Sequence, residues 1–194
     1  MKRLFDLLFA LLGIILLFPI LIIIFCIIKL SSKGPVFFIQ ERVGREGKIF
    51  KMIKFRSMSV SQHSCSTISV KGDVRITKIG AFLRRYKLDE LPELWNILVG
   101  DMSLVGPRPD VRGYANKLKG EDRNILKLRP GITGPASLKF SNEEELLSKE
   151  DNPKKFNDEI IYPDKVRLNL EYYYNNNLWT DIKIIFATIF RTSY

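Results

Sequence analysis

The sequence predicts an α+β fold in which an N-terminal membrane helix precedes a small, mostly helical domain with one β-hairpin. The first observation is a run of 22 uncharged, largely apolar residues, 7–28. The second is a pair of extended segments joined by a short glycine-containing loop. The third is the helical spacing of apolar residues through the rest of the chain. Its 194 residues suit one domain, which we divide into a membrane segment, 1–30, and a globular part, 31–194.

The apolar N-terminal segment is long enough to cross a bilayer, because 22 helical residues at about 1.5 Å each reach roughly 33 Å. Pro19 lies near its middle and removes a backbone donor, which predicts a helix break at Phe18-Pro19. Basic residues flank both ends, which favours both ends on the cytoplasmic side. We therefore predict a re-entrant hairpin of two half-helices, with a kinked spanning helix as the alternative.

The elements that follow are short. Segments 36–40 and 49–58 are extended and predict a β-hairpin around the loop at 44–47. Thr77 suits the N-cap of a helix that runs to Tyr86. A second helix is predicted from Pro92 to Val99, because proline is tolerated in a first turn and Gly100 favours termination.

The C-terminal half is predicted to alternate between loops and helices. Segments 104–110 and 129–135 are rich in proline and glycine and predict structured loops. Ser141 and Glu144 form a capping-box pattern for a helix to about Glu150. Further helices are predicted over 164–174 and 179–190. The last is apolar enough for an amphipathic helix in the membrane interface, with a core-facing terminal helix as an equal alternative.

Composition limits the available chemistry. One histidine, His63, and two cysteines, Cys26 and Cys65, exclude a disulfide framework, a Cys/His zinc site and most histidine-centred catalysis. His63 and Cys65 lie in a serine-rich segment, 57–69, that predicts a loop without a special role. Any chemistry must therefore use carboxylates, hydroxyls, lysine or arginine.

The charge is concentrated in the middle of the chain. The whole sequence carries 31 basic and 21 acidic residues, a net of +10. Residues 29–140 contain 22 basic and 10 acidic residues, a net of +12, and residues 141–159 contain seven acidic and three basic ones. Such a basic region favours an anionic partner: nucleic acid, a phosphorylated small molecule or an acidic membrane surface.

Two adjacent carboxylates, Asp89 and Glu90, lie within this basic region, immediately before a predicted helix. Three cations, Arg84, Arg85 and Lys87, precede them within five residues. Cations can hold phosphate oxygens, and a carboxylate can attack phosphorus or bind Mg²⁺. The pattern therefore indicates a phosphoryl site, with an acidic turn that only stabilises its helix as the alternative.

A second cationic pattern is Pro107-Arg108-Pro109. Two prolines fix the backbone around Arg108, which limits the entropy lost when its guanidinium binds a ligand. The alternative is a proline-rich turn with a solvated arginine. Lys54 and Arg56 add two cations at the end of the second predicted strand.

Four motifs together carry a resemblance to a known family. They occur in the order KFRSM at 54–58, LDELP at 88–92, GDMSLVGPRP at 100–109 and RPGITG at 129–134. With the apolar N-terminus, they resemble the monotopic phosphoglycosyl transferases, bacterial sugar transferases that start glycan assembly on polyprenol phosphate. The resemblance covers essentially the whole chain.

The resemblance implies a two-step phosphoryl transfer. Asp89 would attack the sugar-side phosphorus of a UDP-sugar, UMP would leave, and polyprenol phosphate would then attack the sugar-phospho-aspartate. Glu90 would complete a catalytic dyad, with Mg²⁺ held beside Asp89. The substrate-binding residues implied are Arg108 with Pro107 and Pro109 at the nucleotide, and the cations Lys54, Arg56 and Arg84.

The same resemblance implies a bacterial plasma-membrane location, with a catalytic domain, 31–194, on the cytoplasmic face. The partners would be a UDP-sugar, polyprenol phosphate and the bilayer, with no nucleic acid. Two alternatives stay open. One is a membrane-tethered nucleic-acid-binding protein, supported by the +12 region although no reader motif is present. The other is a catalytically idle scaffold of a glycan assembly complex.

The sequence departs from the family pattern in four places. Phe18-Pro19 replaces a Ser-Pro break, residues 135–138 replace a glutamine-containing segment, Asn169 occupies a position where some members carry aspartate, and residues 141–159 form an acidic insertion. These departures affect the expected sugar specificity more than the expected reaction. The sequence leaves the sugar, the downstream glycan and the oligomeric state open.

Overall fold

The computed structural model describes residues 1–59 and 75–192, and in this part of the chain it confirms the α+β class. The predicted loop 57–69, with His63 and Cys65, lies mostly outside the described residues. Eight α-helices and four β-strands are formed in the described ranges: α1 Lys2–Ser31, β1 Phe37–Val43, β2 Ile49–Phe55, α2 Lys78–Arg85, α3 Glu93–Val99, β3 Ser103–Val105, β4 Gly131–Thr133, α4 Pro135–Lys139, α5 Glu143–Ser148, α6 Pro153–Phe156, α7 Tyr162–Asn175 and α8 Leu178–Phe190.

Helix α1 is one uninterrupted helix of 30 residues with Pro19 inside it. The predicted break into two half-helices at Phe18-Pro19 is therefore wrong. Proline removes only one hydrogen bond from the helix, and Leu17 and Leu21, on either side of Pro19, both pack against buried clusters of the globular part. These contacts hold the helix on both sides of the proline.

Both ends of α1 are packed against the rest of the molecule. Near its start, Asp6 is buried and accepts hydrogen bonds from Ser103 Oγ at 2.8 Å and Leu104 N at 3.1 Å. Near its end, Ile24 and Ile28 are buried in a cluster with residues of β2 and α2. The remaining faces of α1 expose large apolar side chains along the whole helix. The helix is long and apolar enough to cross a membrane.

The predicted hairpin is formed by β1 and β2, which pair antiparallel with Phe37 opposite Phe55 and Gln40 opposite Met52. Alternation along β2 buries Phe50 and Met52, and Phe55 at the end of the strand is buried on the other face. Met52 packs with α1 and α3, and Phe55 with α1 and α2. This packing places the end of β2, and with it Lys54, beside the start of α3.

The two segments predicted as loops contain short strands, β3 and β4, that pair in parallel. The physical reason is the close approach of their glycines. A Cβ at Gly134 would lie 2.2 Å from Gly106 O, and a Cβ at Gly131 would lie 2.1 Å from Gly106 N. Glycine therefore permits backbone contact between the segment that carries GDMSLVGPRP and the segment that carries RPGITG.

The predicted helix ends are mostly confirmed. Thr77 caps α2 by accepting from Gly80 N at 2.9 Å, and α3 ends at Gly100, which has a φ of 103°. The capping box of Ser141 and Glu144 is not formed, because α5 begins at Glu143 and Glu144 pairs with a distant arginine.

Helices α7 and α8 form the C-terminal part of the fold, and α8 matches its prediction. A π-helical turn, Asn157–Ile161, leads into α7, so that helix begins slightly before the predicted position. Helix α8 buries Asp181, which binds Lys2 Nζ at 2.5 Å and accepts from Tyr172 OH. Four of its eight large apolar side chains are exposed: Trp179, Phe186, Ile189 and Phe190.

Candidate active site

The acidic pair lies on a short 3-10 turn, Leu88–Glu90, between α2 and α3. Lys87 precedes this turn in a left-handed conformation, with φ 57°, and so reverses the chain after α2. Both Asp89 and Glu90 are buried, each 7% exposed. Burial of two adjacent carboxylates is costly unless cations or hydrogen bonds compensate for it.

Glu90 is compensated by two cations from different parts of the chain. Lys54 Nζ, at the end of β2, lies 2.8 Å from Glu90 Oε1, and Arg108 Nη2 lies 2.5 Å from the same oxygen. Lys54 Nζ also lies 3.1 Å from Oε1 of Glu93, the first residue of α3. The site therefore contains a charge cluster of two carboxylates and two cations assembled from four segments.

These contacts set the protonation of the cluster. Burial opposes ionisation of Glu90, but Arg108 and Lys54 outweigh it and hold the pKa of Glu90 well below its usual range. Burial raises the pKa of Glu93, against the effect of Lys54. The charge of Glu90 in turn raises the pKa of Arg108, so the Glu90–Arg108 pair is ionised.

Asp89 has a different environment from its neighbour. Its Oδ1 is buried and has no hydrogen-bond partner among the described residues. Burial and the charge of Glu90 raise the pKa of Asp89, while Lys54, Arg84 and Lys87 lower it. Neighbouring cations therefore compensate an ionised Asp89 only in part, and Asp89 lines a cleft, which is the kind of environment in which functional carboxylates are found.

The structure brings Arg84, but not Arg56, toward the acidic pair. Arg84 is close enough to lower the pKa of Asp89, and its guanidinium forms an ion pair with Glu144 of α5. Arg56 is buried and donates to Lys33 O at 2.9 Å and to Ser32 Oγ at 2.7 Å, just after α1. These contacts join β2 to the end of α1. A substrate contact by Arg56 stays a prediction.

The Pro107-Arg108-Pro109 segment is held by backbone contacts on both sides. Pro107 O accepts from Gly131 N at 2.9 Å, and Pro109 O accepts from Arg42 Nη1 at 3.1 Å. Arg108 is oriented by this rigid segment, and its side chain remains 43% exposed although it binds Glu90. Its free face can therefore meet a ligand in the cleft.

Sequence reasoning missed Arg42 and Glu93. Arg42 lies in β1, where it also donates to Gln40 Oε1 at 2.6 Å, and nothing in an alternating strand distinguishes it from a solvated arginine. Glu93 has a signal in retrospect: it lies three residues after Glu90, so a helical turn places both carboxylates on one side.

The acidic pair opens into a large cleft with a volume of about 2070 Å³. The hairpin, the proline-rich segment and residues of α4, α5 and α7 all line this cleft. Asp110 also lines the cleft, and burial raises its pKa to about 6, although Lys165 and Arg42 oppose this shift.

The residues of the cleft fit a divalent cation only in part. Among residues 1–59 and 75–192, no group of three His, Cys, Asp or Glu side chains could hold a metal ion. Mg²⁺ is commonly held by one or two carboxylates together with substrate phosphates and water. The unpartnered Asp89 Oδ1 can supply one such oxygen, so the residues fit an ion that is shared with a phosphorylated ligand.

An acidic pair beside clustered cations, in a large cleft lined in part by a long apolar helix, can bind phosphate groups and support phosphoryl transfer. The chain belongs to the bacterial sugar transferase family, whose model matches residues 1–193. The family resemblance predicted from the four motifs is therefore confirmed.

Curated relatives support the same family. The chain is 38% identical over 195 residues to a UDP-glucose:undecaprenyl-phosphate glucose-1-phosphate transferase of Klebsiella pneumoniae, covering 98% of this chain and 39% of that protein. It is 36% identical over 199 residues to a UDP-N-acetylgalactosamine-undecaprenyl-phosphate N-acetylgalactosaminephosphotransferase of Aeromonas hydrophila, covering 97% and 42%. It thus spans about two-fifths of these relatives. For the exopolysaccharide production protein PSS of Rhizobium leguminosarum, identity is 38% over 199 residues, covering 97% and 93%.

Proposed function

We propose that this protein transfers a sugar-1-phosphate from a UDP-sugar to polyprenol phosphate, releases UMP and so begins the synthesis of a bacterial surface polysaccharide or glycoconjugate. The names of the relatives support the substrate classes. The observation that carries the proposal is the unpartnered Asp89 Oδ1, buried beside a neighbour whose own charge is already matched by two cations.

In the first step, an Asp89 oxygen attacks the sugar-side phosphorus of the UDP-sugar. A bond forms between that oxygen and phosphorus, the bond between phosphorus and the bridging oxygen breaks, and UMP leaves with the electron pair. Arg108, Lys54 and Arg84 each lower the pKa of a carboxyl group of the acidic pair, and they can stabilise the negative charge on the phosphoryl oxygens.

In the second step, a phosphate oxygen of polyprenol phosphate attacks the same phosphorus. The bond to Asp89 breaks, and the carboxylate is regenerated as the polyprenyl-diphosphate sugar leaves. Glu90 keeps Arg108 and Lys54 oriented through both steps, because it contacts both cations directly. We propose that Asp89, together with substrate phosphates, would hold Mg²⁺, and that the bound ion would supply additional neutralisation of phosphate charge.

The membrane supplies the second substrate in this proposal. Helix α1 exposes apolar side chains along its length, and α8 exposes Trp179, Phe186, Ile189 and Phe190. Both surfaces suit burial in a bilayer or its interface. We propose that the globular part lies on the cytoplasmic face of the plasma membrane, with both ends of the unbroken α1 on that face, because both ends contact the same domain.

The test measures UMP release by the full-length protein in detergent or nanodiscs with polyprenol phosphate, Mg²⁺ and a panel of UDP-sugars. We expect release with at least one sugar, and none with Asp89→Asn. Asp89→Asn should also prevent a covalent sugar-phosphate adduct that intact-protein mass spectrometry detects without acceptor. Full turnover by Asp89→Asn would contradict the nucleophile assignment, and salt-sensitive nucleic-acid binding without UMP release would favour the nucleic-acid alternative.

A further inference from the structure

The buried polar atoms that lack a partner are concentrated in one cleft. In the described ranges, four buried side-chain oxygens have no hydrogen bond: Asp89 Oδ1, Glu93 Oε1, Ser137 Oγ and Asn169 Oδ1. Glu93 Oε1 has an ion-pair contact with Lys54 at 3.1 Å. The other three oxygens belong to residues that line the large cleft. Unpaired buried polar groups are rare in folded proteins and commonly mark a bound water or ligand.

Ser137 and Asn169 belong to one side of this cleft. Ser137 lies on α4 and Asn169 on α7, and these two helices pack against each other. Lys165 lies one helical turn before Asn169 on α7. Its Nζ donates to both carboxylate oxygens of Glu143 at 2.7 Å. We call Ser137, Glu143, Lys165 and Asn169 the α4–α7 wall.

The α4–α7 wall faces the same ligand space as the proline-rich segment. All four of its residues line the cleft together with Asp89 and Arg108. The charge of Glu143 raises the pKa of Arg108, and the charge of Lys165 lowers the pKa of Asp110. A ligand whose phosphates contact Asp89 and Arg108 can therefore extend toward this wall.

The chemistry of the wall differs from that of the acidic pair. Around Asp89, several cations provide a net positive site for phosphate. In the wall, the charges of Lys165 and Glu143 match each other, and the remaining polar groups are a neutral hydroxyl and a neutral amide. Such a set offers hydrogen-bond donors and acceptors without net charge, which suits a polyhydroxyl group rather than a second phosphate.

We propose that the α4–α7 wall recognises the sugar of the nucleotide-sugar donor, with Asn169 and Ser137 as specificity-determining residues. The inference rests on the proposed function. Asn169 Oδ1 accepts a hydrogen bond from a sugar hydroxyl or acetamido N–H, and Ser137 Oγ accepts or donates to a neighbouring substituent. A site that hydrogen-bonds a substituent discriminates strongly against a sugar that lacks it, because its buried polar groups are then left unpaired.

Binding without turnover tests this inference. The full-length Asp89→Asn protein in nanodiscs is titrated with UMP, UDP-glucose, UDP-galactose and UDP-N-acetylgalactosamine, and the best sugar defines the reference. Asn169→Ala or Ser137→Ala is added to this background. We expect the affinity for the reference UDP-sugar, divided by the affinity for UMP, to fall about tenfold or more in at least one variant.

The matched control is Asn175→Ala, an exposed asparagine near the end of the same helix that does not line the cleft. Its affinity ratio should equal that of the background. A ratio that is unchanged in both Asn169→Ala and Ser137→Ala overturns the inference, including the case in which UMP and UDP-sugar binding fall equally. A different result would contradict the proposed function. In that case the protein with Asp89 intact would bind UDP-sugars selectively but would release no UMP in the presence of polyprenol phosphate.

Discussion

Arg108 Nη2 donates a hydrogen bond of 2.5 Å to Glu90 Oε1, so the proline-bracketed arginine is joined directly to the acidic pair. The same oxygen lies 2.8 Å from Lys54 Nζ. Glu90 is therefore held by two cations, while its neighbour Asp89 keeps one buried oxygen without a partner in the described part of the chain. Adjacent carboxylates with such different surroundings are suited to different roles.

The first prediction is that Asp89→Asn inactivates the protein and stabilises it. Burial and the charge of Glu90 raise the pKa of Asp89 above its unfolded value of about 3.9. The ionised carboxylate therefore costs folding free energy at neutral pH, and the isosteric amide removes that cost. We expect a gain of about 1 kcal/mol in the free energy of unfolding, or about 2–4 °C in Tm at pH 7.

The pH dependence provides the control for this prediction. The cost of the Asp89 charge is fully present above the raised folded pKa and disappears as pH falls toward the unfolded pKa. The Tm difference between Asp89→Asn and the unsubstituted protein should therefore shrink on acidification. A variant that is less stable at pH 7, or a difference that grows in acid, would contradict the proposed electrostatics of Asp89.

The second prediction concerns Glu90→Gln, which should act in the opposite direction. The pKa of Glu90 is lowered, so its stabilising contribution is present above the unfolded pKa of about 4.3 and is lost as pH falls through the folded value. Glutamine leaves Lys54 and Arg108 without a buried counter-charge. Because Arg108 is partly exposed, we expect a loss of about 1–3 kcal/mol at pH 7.

Chemical denaturation of Glu90→Gln at pH 7 measures this loss, and UMP release measures its consequence. Disorientation of Arg108 and Lys54 should lower kcat about 10²-fold or more. Arg167→Gln is a suitable control, because its exposed ion pairs on α7 should contribute little. Equal stability changes in the two variants would show that the Glu90 contacts are not specially stabilising.

Local sequence signals predicted most elements and the centre of the site. Thr77 capped its helix and Gly100 ended the next one, because both effects depend on neighbouring residues only. The adjacent pair Asp89-Glu90 was visible for the same reason. The sequence does not show that Asp89 and Glu90 have different environments. That difference depends on Lys54 and Arg108, which are distant in sequence and contact Glu90 only in the folded chain.

The errors have tertiary causes. Local sequence signals do not predict the pairing of β3 with β4, because glycine and proline locally favour loops. The pairing depends on the close backbone approach of Gly106 to Gly134, which is a long-range contact. The break at Phe18-Pro19 was predicted from a local rule, which packing of α1 against the domain overrides. Likewise, Glu144 does not form the capping box, because its carboxylate accepts a hydrogen bond from Arg84, 60 residues away.

The third prediction tests the backbone contact between Gly106 and Gly134, which positions the proline-rich segment. In Gly134→Ala, the new Cβ would lie 2.2 Å from Gly106 O, a distance that forces the two backbones apart. We expect a loss of about 3 kcal/mol or more and failure to accumulate as folded protein. Gly113→Ala is the matched control: its φ is 101°, but no atom lies within 4 Å of the new Cβ. It should cost only about 1 kcal/mol. Equal yields and Tm values would contradict the close approach.

The fourth prediction is that Asp6 anchors the start of α1 to the domain. Asp6→Ala leaves the Ser103 hydroxyl and the Leu104 N–H without their buried acceptor. We expect a loss of about 2–4 kcal/mol, because each unsatisfied donor carries a desolvation cost. Limited proteolysis should release residues near the N-terminus faster than in Leu4→Ala, which alters an exposed side chain. Equal proteolysis rates would show that Asp6 does not anchor the helix.

The fifth prediction is that both ends of α1 are accessible only from the cytoplasm. Asp6 and Ile28, near opposite ends of the helix, are both buried against the same globular part. In a spanning orientation, Asp6 and Ile28 would lie on opposite sides of a bilayer core about 30 Å thick, so the globular part could not keep both contacts. A cysteine placed before Met1, and Lys33→Cys, should therefore react with a membrane-impermeant maleimide only after spheroplasts are permeabilised. The native cysteines, Cys26 and Cys65, are first replaced by serine.

The N-terminal cysteine decides the orientation, because Lys33 borders the domain in either topology. Adding a cysteine before Met1 preserves the contact of Lys2 with Asp181, which a substitution at residue 2 would remove. Its labelling in intact spheroplasts would place the start of α1 outside and require the Asp6 and Lys2 contacts to break. Protection of both cysteines, with labelling of both after permeabilisation, places both ends of α1 on the cytoplasmic side. The unbroken α1 must then bend or lie within a single leaflet while its apolar face stays in lipid.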